Sequence, residues 1–257
     1  MIDFEKLELK NGLKVIFCQD LNTPMVAVNL MYNVGARDES PEMTGLAHLF
    51  EHLMFSGSKN VDDFDKISQN AGGENNAFTS NDVTNYYTLV PKENLEVALW
   101  LDRDRMRDLN LNQKSLDTQK KVVIEEFKQR YFNQPYGETW LHLRPLCYKT
   151  HPYSWPTIGK SIEQIENVTI EDALNFYKKY YAPNNAILVI SGNFDQTTCK
   201  QLVEKYFGTL TFQQIPNRNY PIEAPQTEKR SLEIKRDVPF NAINLAFHME
   251  GKGKKGF

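Results

Sequence analysis

The sequence predicts an α+β fold in which helices pack on a mostly antiparallel β-sheet. Two hairpin patterns, at residues 4–17 and 71–90, each join a pair of strands that run antiparallel. Further strand-like apolar runs lie at 25–34 and 186–192, and the segments between them have the 3.6-residue period of helices. The chain has 257 residues, of which 40% are hydrophobic, so it can bury a large core.

The strands are expected in a simple order along the chain. The first hairpin pairs 4–9 with 13–17 around the turn dipeptide Asn11-Gly12. The run at 25–34 is apolar enough to lie in the middle of the sheet. In the second hairpin, paired glycines lead into a strand that ends near Thr79, and the strand at 84–90 returns beside it.

The helices are expected between these strands. Segments that share amphipathic helical spacing are 61–70, 92–107, 114–131, 137–148, 164–167, 170–181 and 196–207. Asn60 or Asp62 is the expected N-cap of the first of them. Thr169 and Asp172 form a capping-box variant at the start of the helix at 170–181.

Composition excludes some classes of function. The net charge of −3 offers no basic surface for nucleic acid, and no stretch is apolar enough to cross a membrane, so neither is expected as a partner. Three widely spaced cysteines form no disulfide framework and fit a reducing compartment. The start at Met1 lacks the basic and apolar regions of a signal peptide, which predicts a cytoplasmic location, or a periplasmic one if a leader was removed.

An H-x-x-E-H pattern, formed by His48, Glu51 and His52, lies in a helix expected to begin near 42–44 and to end at 56–57. Side chains four residues apart share one helix face, so His48 and His52 could bind a single Zn²⁺ ion. Glu51 flanks that face and could take a proton from a water on the metal, which is the chemistry of a metallopeptidase. Histidines that merely pack are the competing interpretation, disfavoured because burying them unpaired costs desolvation.

Two histidines leave zinc short of ligands, so a third ligand must come from elsewhere. Glu125 and Glu126 are the candidates. Glu126 is favoured because it lies with the apolar stripe of its helix, whereas Glu125 sits about 100° around the helix. The stripe comprises Val122, Val123 and Phe127. A solvated glutamate pair remains the commoner outcome for such a stretch taken alone.

The remaining histidines are expected to pack or to lie at the surface; they are His142, His151 and His248. A purely structural zinc site is disfavoured, because such sites are closed by four protein ligands and only three are found. The strand that contains Asn76, Ala77 and Phe78 has two interpretations. It is either a plain hairpin strand or an edge strand whose backbone pairs with an extended peptide.

After residue 211 the chain changes character, because prolines punctuate polar sequence. Two strand-like runs follow, at 231–235 and 242–248. The expected organisation is a zinc-binding catalytic domain at 1–212, a linker at 213–230 and the truncated start of a second, similar domain at 231–257.

Four motif segments together resemble the N-terminal half of the M16 zinc peptidases, the family of pitrilysin, insulinase and the mitochondrial processing peptidases. These segments are 45–57, 72–86, 122–126 and 181–192, and the match spans nearly all of residues 4–250. The resemblance implies a LuxS/MPP-like metallohydrolase fold. It also implies that His48, His52 and Glu126 bind zinc, and that Glu51 is the general base.

Two departures from the family pattern are visible. A supporting glutamate often stands seven residues before the ligand glutamate, and here Gln119 takes that place. Gln119 can still hydrogen-bond a ligand or water but adds no negative charge. A change in metal affinity or activity, rather than its loss, is therefore expected. Members of the family also pair this half with a second half that supplies an arginine and a tyrosine to the substrate carbonyl, and no match for these is found here.

The resemblance implies a zinc metalloendopeptidase that cleaves short or unfolded peptides, with the substrate extended along Asn76, Ala77 and Phe78. A second M16-like half, in the same full-length chain or in a partner subunit, is the expected partner, and a dimer is one form of it. The alternative is a non-catalytic subunit or truncated scaffold that needs such a partner for activity. The intact Glu51 favours the enzyme, since inactive relatives usually lose the metal motif.

Overall fold

The computed structural model describes residues 3–255. Two predictions fall outside these residues: the start at Met1 without a signal peptide and the end of the second domain at Phe257. Six strands form one sheet in the order β1-β2-β6-β3-β5-β4. They are β1 (Glu5–Glu8), β2 (Lys14–Gln19), β3 (Met25–Tyr32), β4 (Glu74–Thr79), β5 (Thr84–Pro91) and β6 (Ala186–Gly192). Neighbours in the sheet run antiparallel except β2 and β6, which are parallel. The predicted α+β fold with a mostly antiparallel sheet is confirmed.

The α-helices occupy the segments between the strands. They are α1 (Leu46–Leu53), α2 (Phe64–Asn70), α3 (Leu95–Arg107), α4 (Gln113–Tyr131), α5 (Thr139–Cys147), α6 (Ile162–Glu166), α7 (Ile170–Tyr180) and α8 (Gln196–Phe207). The predicted capping box at Thr169 and Asp172 is present at the start of α7. No helix within residues 3–255 is long and apolar enough to cross a membrane.

β3 is the central strand that its apolar sequence predicts, since β5 and β6 pair with its two edges. Alternate side chains of β3 are fully buried, as the two-residue period of a strand requires.

The first hairpin also forms as predicted. Gly12 stands at its turn with φ of 84°, a left-handed conformation that glycine adopts without steric cost. Its N–H donates to the carbonyl of Leu9 over 2.8 Å.

Aromatic packing fixes α1 in the core. The Phe50 ring lies 5.1 Å from Tyr181 and 5.4 Å from Phe176, centroid to centroid. On the other side, the Tyr86 hydroxyl of β5 donates to the Phe50 carbonyl over 3.2 Å. Because Phe50 is fully buried, the turn of helix that it belongs to has little freedom to move.

Helix α3 contains a buried ion pair. Arg105 and Asp102 of α3 are both fully buried and form a salt bridge with each other. The Arg105 guanidinium also lies 4.4 Å from the Phe64 ring centroid and 4.5 Å from that of Tyr86. Cation–π contact and the carboxylate together offset the cost of burying this charge.

Several element boundaries differ from the prediction. α1 begins at Leu46 rather than at 42–44, because Gly45 adopts a left-handed conformation with φ of 91° and starts the helix after it. The N-cap of α2 is Asp63, whose carboxylate accepts the N–H of Lys66, and not Asn60 or Asp62.

The strand-like runs at 231–235 and 242–248 do not form strands in the structure. A strand needs a neighbouring edge that takes up its backbone hydrogen bonds, and the side chains here are exposed, with Ile243 at 87% and Phe247 at 86%. The segment 213–230 contains no helix or strand. It is nevertheless attached to the domain, because Arg218 forms an ion pair with Asp38 over 2.6 Å. The division of the chain into domains stays a prediction.

Candidate metal centre

The helix that carries the H-x-x-E-H pattern is anchored at its start. α1 has no side-chain cap of its own, and the buried carboxylate of Glu39 takes that role instead. It accepts the N–H groups of Gly45 at 3.0 Å and Ala47 at 2.8 Å, and the indole N–H of Trp155 at 3.1 Å. Burial raises the pKa of Glu39 to about 8, although these three donors oppose the shift.

His48, His52 and Glu126 converge. The Nε2 atoms of His48 and His52 each lie 3.5 Å from the Glu126 Oε2, and one ligand atom from each of the three lies within 4.8 Å of the others. The helix period places the two imidazoles one turn apart on α1, and packing of α4 against α1 brings in the carboxylate. Within residues 3–255 this is the one group of at least three histidine, cysteine or acidic side chains with such geometry.

The three side chains fit a zinc ion. Ligand atoms about 2.0–2.1 Å from a tetrahedral Zn²⁺ lie about 3.3–3.4 Å apart, and the observed 3.5 Å from the Glu126 oxygen to each imidazole nitrogen is close to that spacing. Two imidazoles and one carboxylate are the ligand set of several catalytic zinc sites, which keep the fourth position for water or substrate. The chemistry of the donors and their spacing therefore both match zinc.

Charge in the group also favours a cation. Burial lowers the pKa of His48, so its imidazole stays neutral near pH 7 and its nitrogen can donate a lone pair. A hydrogen bond with His52 holds the pKa of Glu126 below its usual range, so this carboxylate is ionised. Two imidazole nitrogens and one carboxylate thus converge, and the nearby charge of Arg130 acts on both His48 and Glu126.

The two candidate glutamates of α4 have different surroundings. Glu125 is 64% exposed and forms an ion pair with Lys128 over 2.7 Å. Glu126 is only partly exposed and faces the imidazoles. The helix-face reasoning thus selected the glutamate that the structure brings to the histidines. One member of the predicted stripe was misplaced, because Val122 is 45% exposed while Val123 and Phe127 are buried.

Glu51 lies beside the group without belonging to it. Its carboxylate is partly buried, and its Oε2 accepts a hydrogen bond from the Thr79 hydroxyl over 2.6 Å. Burial raises the pKa of Glu51, and the Thr79 hydrogen bond opposes that rise. A carboxylate that is held near a metal but is not consumed as a ligand is free to exchange protons.

Gln119 reaches the segment that directly follows the histidine-bearing helix. Its side-chain amide donates to the Ser56 hydroxyl over 3.0 Å, and that hydroxyl lies 3.5 Å from the His52 carbonyl oxygen. Gln119 thus connects α4 with the end of α1. Its predicted support of the metal site stays a prediction.

β4 is an edge strand, since among the described residues only β5 pairs with it. Its residues Asn76 and Phe78 are exposed, and Phe78 retains 50% of its accessible surface. The N–H of Ala77 donates to the carboxamide oxygen of its neighbour Asn76 over 2.8 Å. These three residues stand together on an open edge whose last residue, Thr79, contacts Glu51.

Two contributors escaped the sequence reasoning. Thr79 directly follows the predicted substrate residues 76–78 in the same strand, so its position was visible but its bond to Glu51 was not. Glu39 caps α1 from six residues before Gly45, in a loop without a helical pattern. Contacts of this kind depend on how the chain folds back on itself, and no local sequence signal marks them.

The fold and these side chains define a metallopeptidase-type centre: an inverted H-x-x-E-H helix, a distant carboxylate and an open strand edge beside it. The family model described as insulinase, peptidase family M16, matches residues 14–142. A second model, the peptidase M16 inactive domain, matches residues 167–255. The chain belongs to peptidase family M16.

The similar proteins agree with this assignment. The zinc protease PqqE of Helicobacter pylori is 36% identical over 209 residues, which are 80% of this chain and 47% of that protein. A probable mitochondrial-processing peptidase subunit beta of Schizosaccharomyces pombe is 29% identical over 98% of this chain and 55% of its own length. The crystal structure of a protease from Helicobacter pylori superposes with a TM-score of 0.80 at 34% identity, covering 87% of this chain and 54% of that one.

The chain thus spans about half the length of the curated relatives that it matches. Relatives of this family carry the name zinc protease, and the His-His-Glu group could hold such an ion, so zinc is the metal of this centre.

Proposed function

We propose that this chain is the catalytic half of a zinc metalloendopeptidase that hydrolyses peptide bonds in short or unfolded peptides. His48, His52 and Glu126 hold the metal, and Glu51 is the general base. The observation that carries the proposal is the convergence of the Glu126 oxygen on two imidazole nitrogens at 3.5 Å each, while the Glu51 carboxylate stays out of the ligand set.

Bound zinc would supply Lewis acidity that makes water a nucleophile near neutral pH. The residues of this chain do the rest. His48, being buried and neutral, offers its nitrogen to the metal without first losing a proton. Glu51 takes a proton as water attacks the scissile carbonyl and passes it to the leaving amine. The raised pKa of Glu51 suits this exchange, because a base is most effective when its pKa approaches the working pH.

The open edge of β4 suits an extended peptide. Backbone pairing with an edge strand recognises main-chain groups, so it sets few demands on substrate sequence. For the substrate to reach the Ala77 N–H, the Asn76 carboxamide has to turn away from it. A peptide must also be extended to lie along the strand, which favours short or unfolded substrates over folded proteins.

A second M16-like half completes the proposed enzyme. The relative named as a subunit beta and the match of a second family domain support this partner. The alternative, a non-catalytic subunit or scaffold, differs from the enzyme in one respect that can be measured. It leaves Glu51 without a role.

The decisive experiment measures zinc content and cleavage of a quenched peptide by the wild type and by Glu51→Gln. The wild type is assayed alone and with a separately expressed second half. The variant is expected to keep its zinc and to lose at least about 100-fold in kcat, since it keeps the ligands but cannot accept a proton. Equal activity of the variant would eliminate Glu51 as the base, and an inactive, zinc-loaded wild type in both assays would favour the scaffold.

A further inference from the structure

Thr79 is the one side chain whose hydroxyl donates to the Glu51 carboxylate within the described range, over 2.6 Å. It is the last residue of β4 and comes directly after residues 76–78, of which Asn76 and Phe78 are exposed. A hydroxyl-to-carboxylate hydrogen bond of this length is charge-assisted and stronger than a neutral one. Glu51 is therefore restrained from the strand as well as from its own helix.

The turn that follows Thr79 is tightly bonded. The Ser80 N–H donates to the Val83 carbonyl over 2.8 Å, and the Ser80 hydroxyl accepts the N–H groups of Asp82 and Val83 at 3.1 and 3.0 Å. On the β5 side, Thr84 pairs with Thr79 and its hydroxyl donates to the Val34 carbonyl over 2.9 Å. The backbone on both sides of the Thr79 pair is thus held.

Two further side chains hold the same turn from outside. The Asp82 carboxylate accepts hydrogen bonds from the Arg37 guanidinium at 2.8 Å and from the Tyr153 hydroxyl at 2.6 Å. The Arg37 N–H donates to the Asn81 carbonyl over 2.9 Å. Arg37 and Tyr153 come from segments far apart in sequence, so tertiary contacts determine where β4 ends. This arrangement gives the Thr79 hydroxyl a defined position.

We propose that Thr79 is a positioning residue: its hydroxyl holds the carboxylate of Glu51 beside His48, His52 and Glu126, in the orientation that proton transfer needs. This inference rests on the proposed function. Because residues 76–78 precede Thr79 on the same strand, a peptide that pairs with β4 stiffens the strand from which Thr79 donates. Substrate pairing and orientation of the base are therefore linked, and loss of the hydroxyl acts on turnover more than on binding.

The test compares Thr79→Val, which keeps the shape but removes the hydroxyl, with Thr79→Ser, which keeps the hydroxyl. Thr88→Val is the matched control: the Thr88 hydroxyl on β5 is buried without a hydrogen-bond partner among residues 3–255, so its removal breaks no bond. Kinetics are measured on the zinc-loaded protein in its intact natural chain. Zinc content and crystal structures of the metal-free proteins accompany the kinetics.

Thr79→Val is expected to lower kcat about tenfold or more while KM stays within about twofold. A Glu51 carboxylate displaced by a fraction of an ångström is poorly placed for proton transfer, whereas binding of the substrate is unaffected. Thr79→Ser is expected to restore most of kcat, Thr88→Val to match the wild type, and all variants to keep zinc. In the crystal, Glu51 should leave its wild-type orientation only in Thr79→Val.

A Thr79→Val variant with the kcat of the wild type would overturn the proposal. Losses of kcat in Thr79→Ser and Thr88→Val as large as the loss in Thr79→Val would also overturn it. If the zinc-loaded wild type cleaves no peptide, the proposed function fails. The crystal structures then decide separately whether Thr79 holds Glu51, since an unchanged Glu51 orientation in Thr79→Val refutes the restraint.

Discussion

The identity of the third zinc ligand gives a sharp prediction, because two adjacent glutamates offer a matched pair. Glu126→Gln replaces a charged oxygen that lies 3.5 Å from both imidazole nitrogens. Glu125→Gln makes the same chemical change one residue earlier, where the side chain bonds Lys128 and is largely exposed. Only the first substitution should weaken zinc binding.

The size of the effect follows from the loss of a ligand. Changes to residues that merely support a metal ligand cost about 10–100-fold in affinity, so loss of the ligand itself should cost at least about 100-fold. With free zinc at 100 times the wild-type Kd, binding stabilises the wild type by about 2.7 kcal/mol. A variant that binds 100-fold more weakly gains only about 0.4 kcal/mol under the same conditions.

The difference, about 2.3 kcal/mol, corresponds to a Tm gap of about 5–9 °C for a chain of this length. Isothermal titration with zinc gives the affinities, and thermal unfolding with and without zinc gives the gap. The metal-free proteins serve as the baseline, so a general loss of stability is subtracted. Equal zinc affinity in Glu126→Gln and the wild type, or an equal loss in Glu125→Gln, would refute the proposed ligand set.

Three further predictions concern the core, the pH response and the strand edge. Asp102→Asn leaves the buried Arg105 cation without its charge partner and should lower the free energy of unfolding by about 3–5 kcal/mol. Denaturant titration measures this loss, and a loss below about 1 kcal/mol contradicts the role of the ion pair. Glu39 has a raised folded-state pKa of about 8, so its contribution to stability is complete below its unfolded value and is lost as pH rises through 8. The wild type should therefore lose stability relative to Glu39→Gln with rising pH, by up to about 1.4 kcal/mol per pH unit, and parallel pH profiles of unfolding would disprove this. Ala77→Pro removes an N–H that, within residues 3–255, bonds only the side chain of its neighbour Asn76, so the fold should survive. KM should rise about fivefold, which is the value of one lost hydrogen bond to the peptide. An unchanged KM argues against peptide pairing at β4.

The sequence was informative wherever a signal is local and periodic. The hairpin around Gly12, the central strand β3 and the long helix α4 follow from alternation, apolar content and helical period. Capping of α7 by Thr169 was equally visible, because the residues involved are neighbours along the chain. The predicted helix boundaries were wrong where the backbone conformation, rather than the side chains, decided them. Gly45 is an example, because its left-handed conformation makes α1 begin only at Leu46.

The prediction of a strand at 242–248 was wrong for a different reason. Its pattern satisfies the rule for a strand, but pairing requires an adjacent edge, and no pattern within the run can state whether one is present. The exposed Val122 shows the same limit on a smaller scale, since an apolar side chain next to a stripe need not face the core.

By itself the sequence indicated which residues could do the chemistry, because helical period puts His48 and His52 on one face and favours Glu126 over Glu125. Only the tertiary structure decided that these side chains meet, since α1 and α4 are distant in the chain and come together through packing. The tertiary structure also brought the hydroxyl of Thr79 to Glu51. A hydrogen bond between a strand end and a helix has no period, and it exists only once both elements are in place.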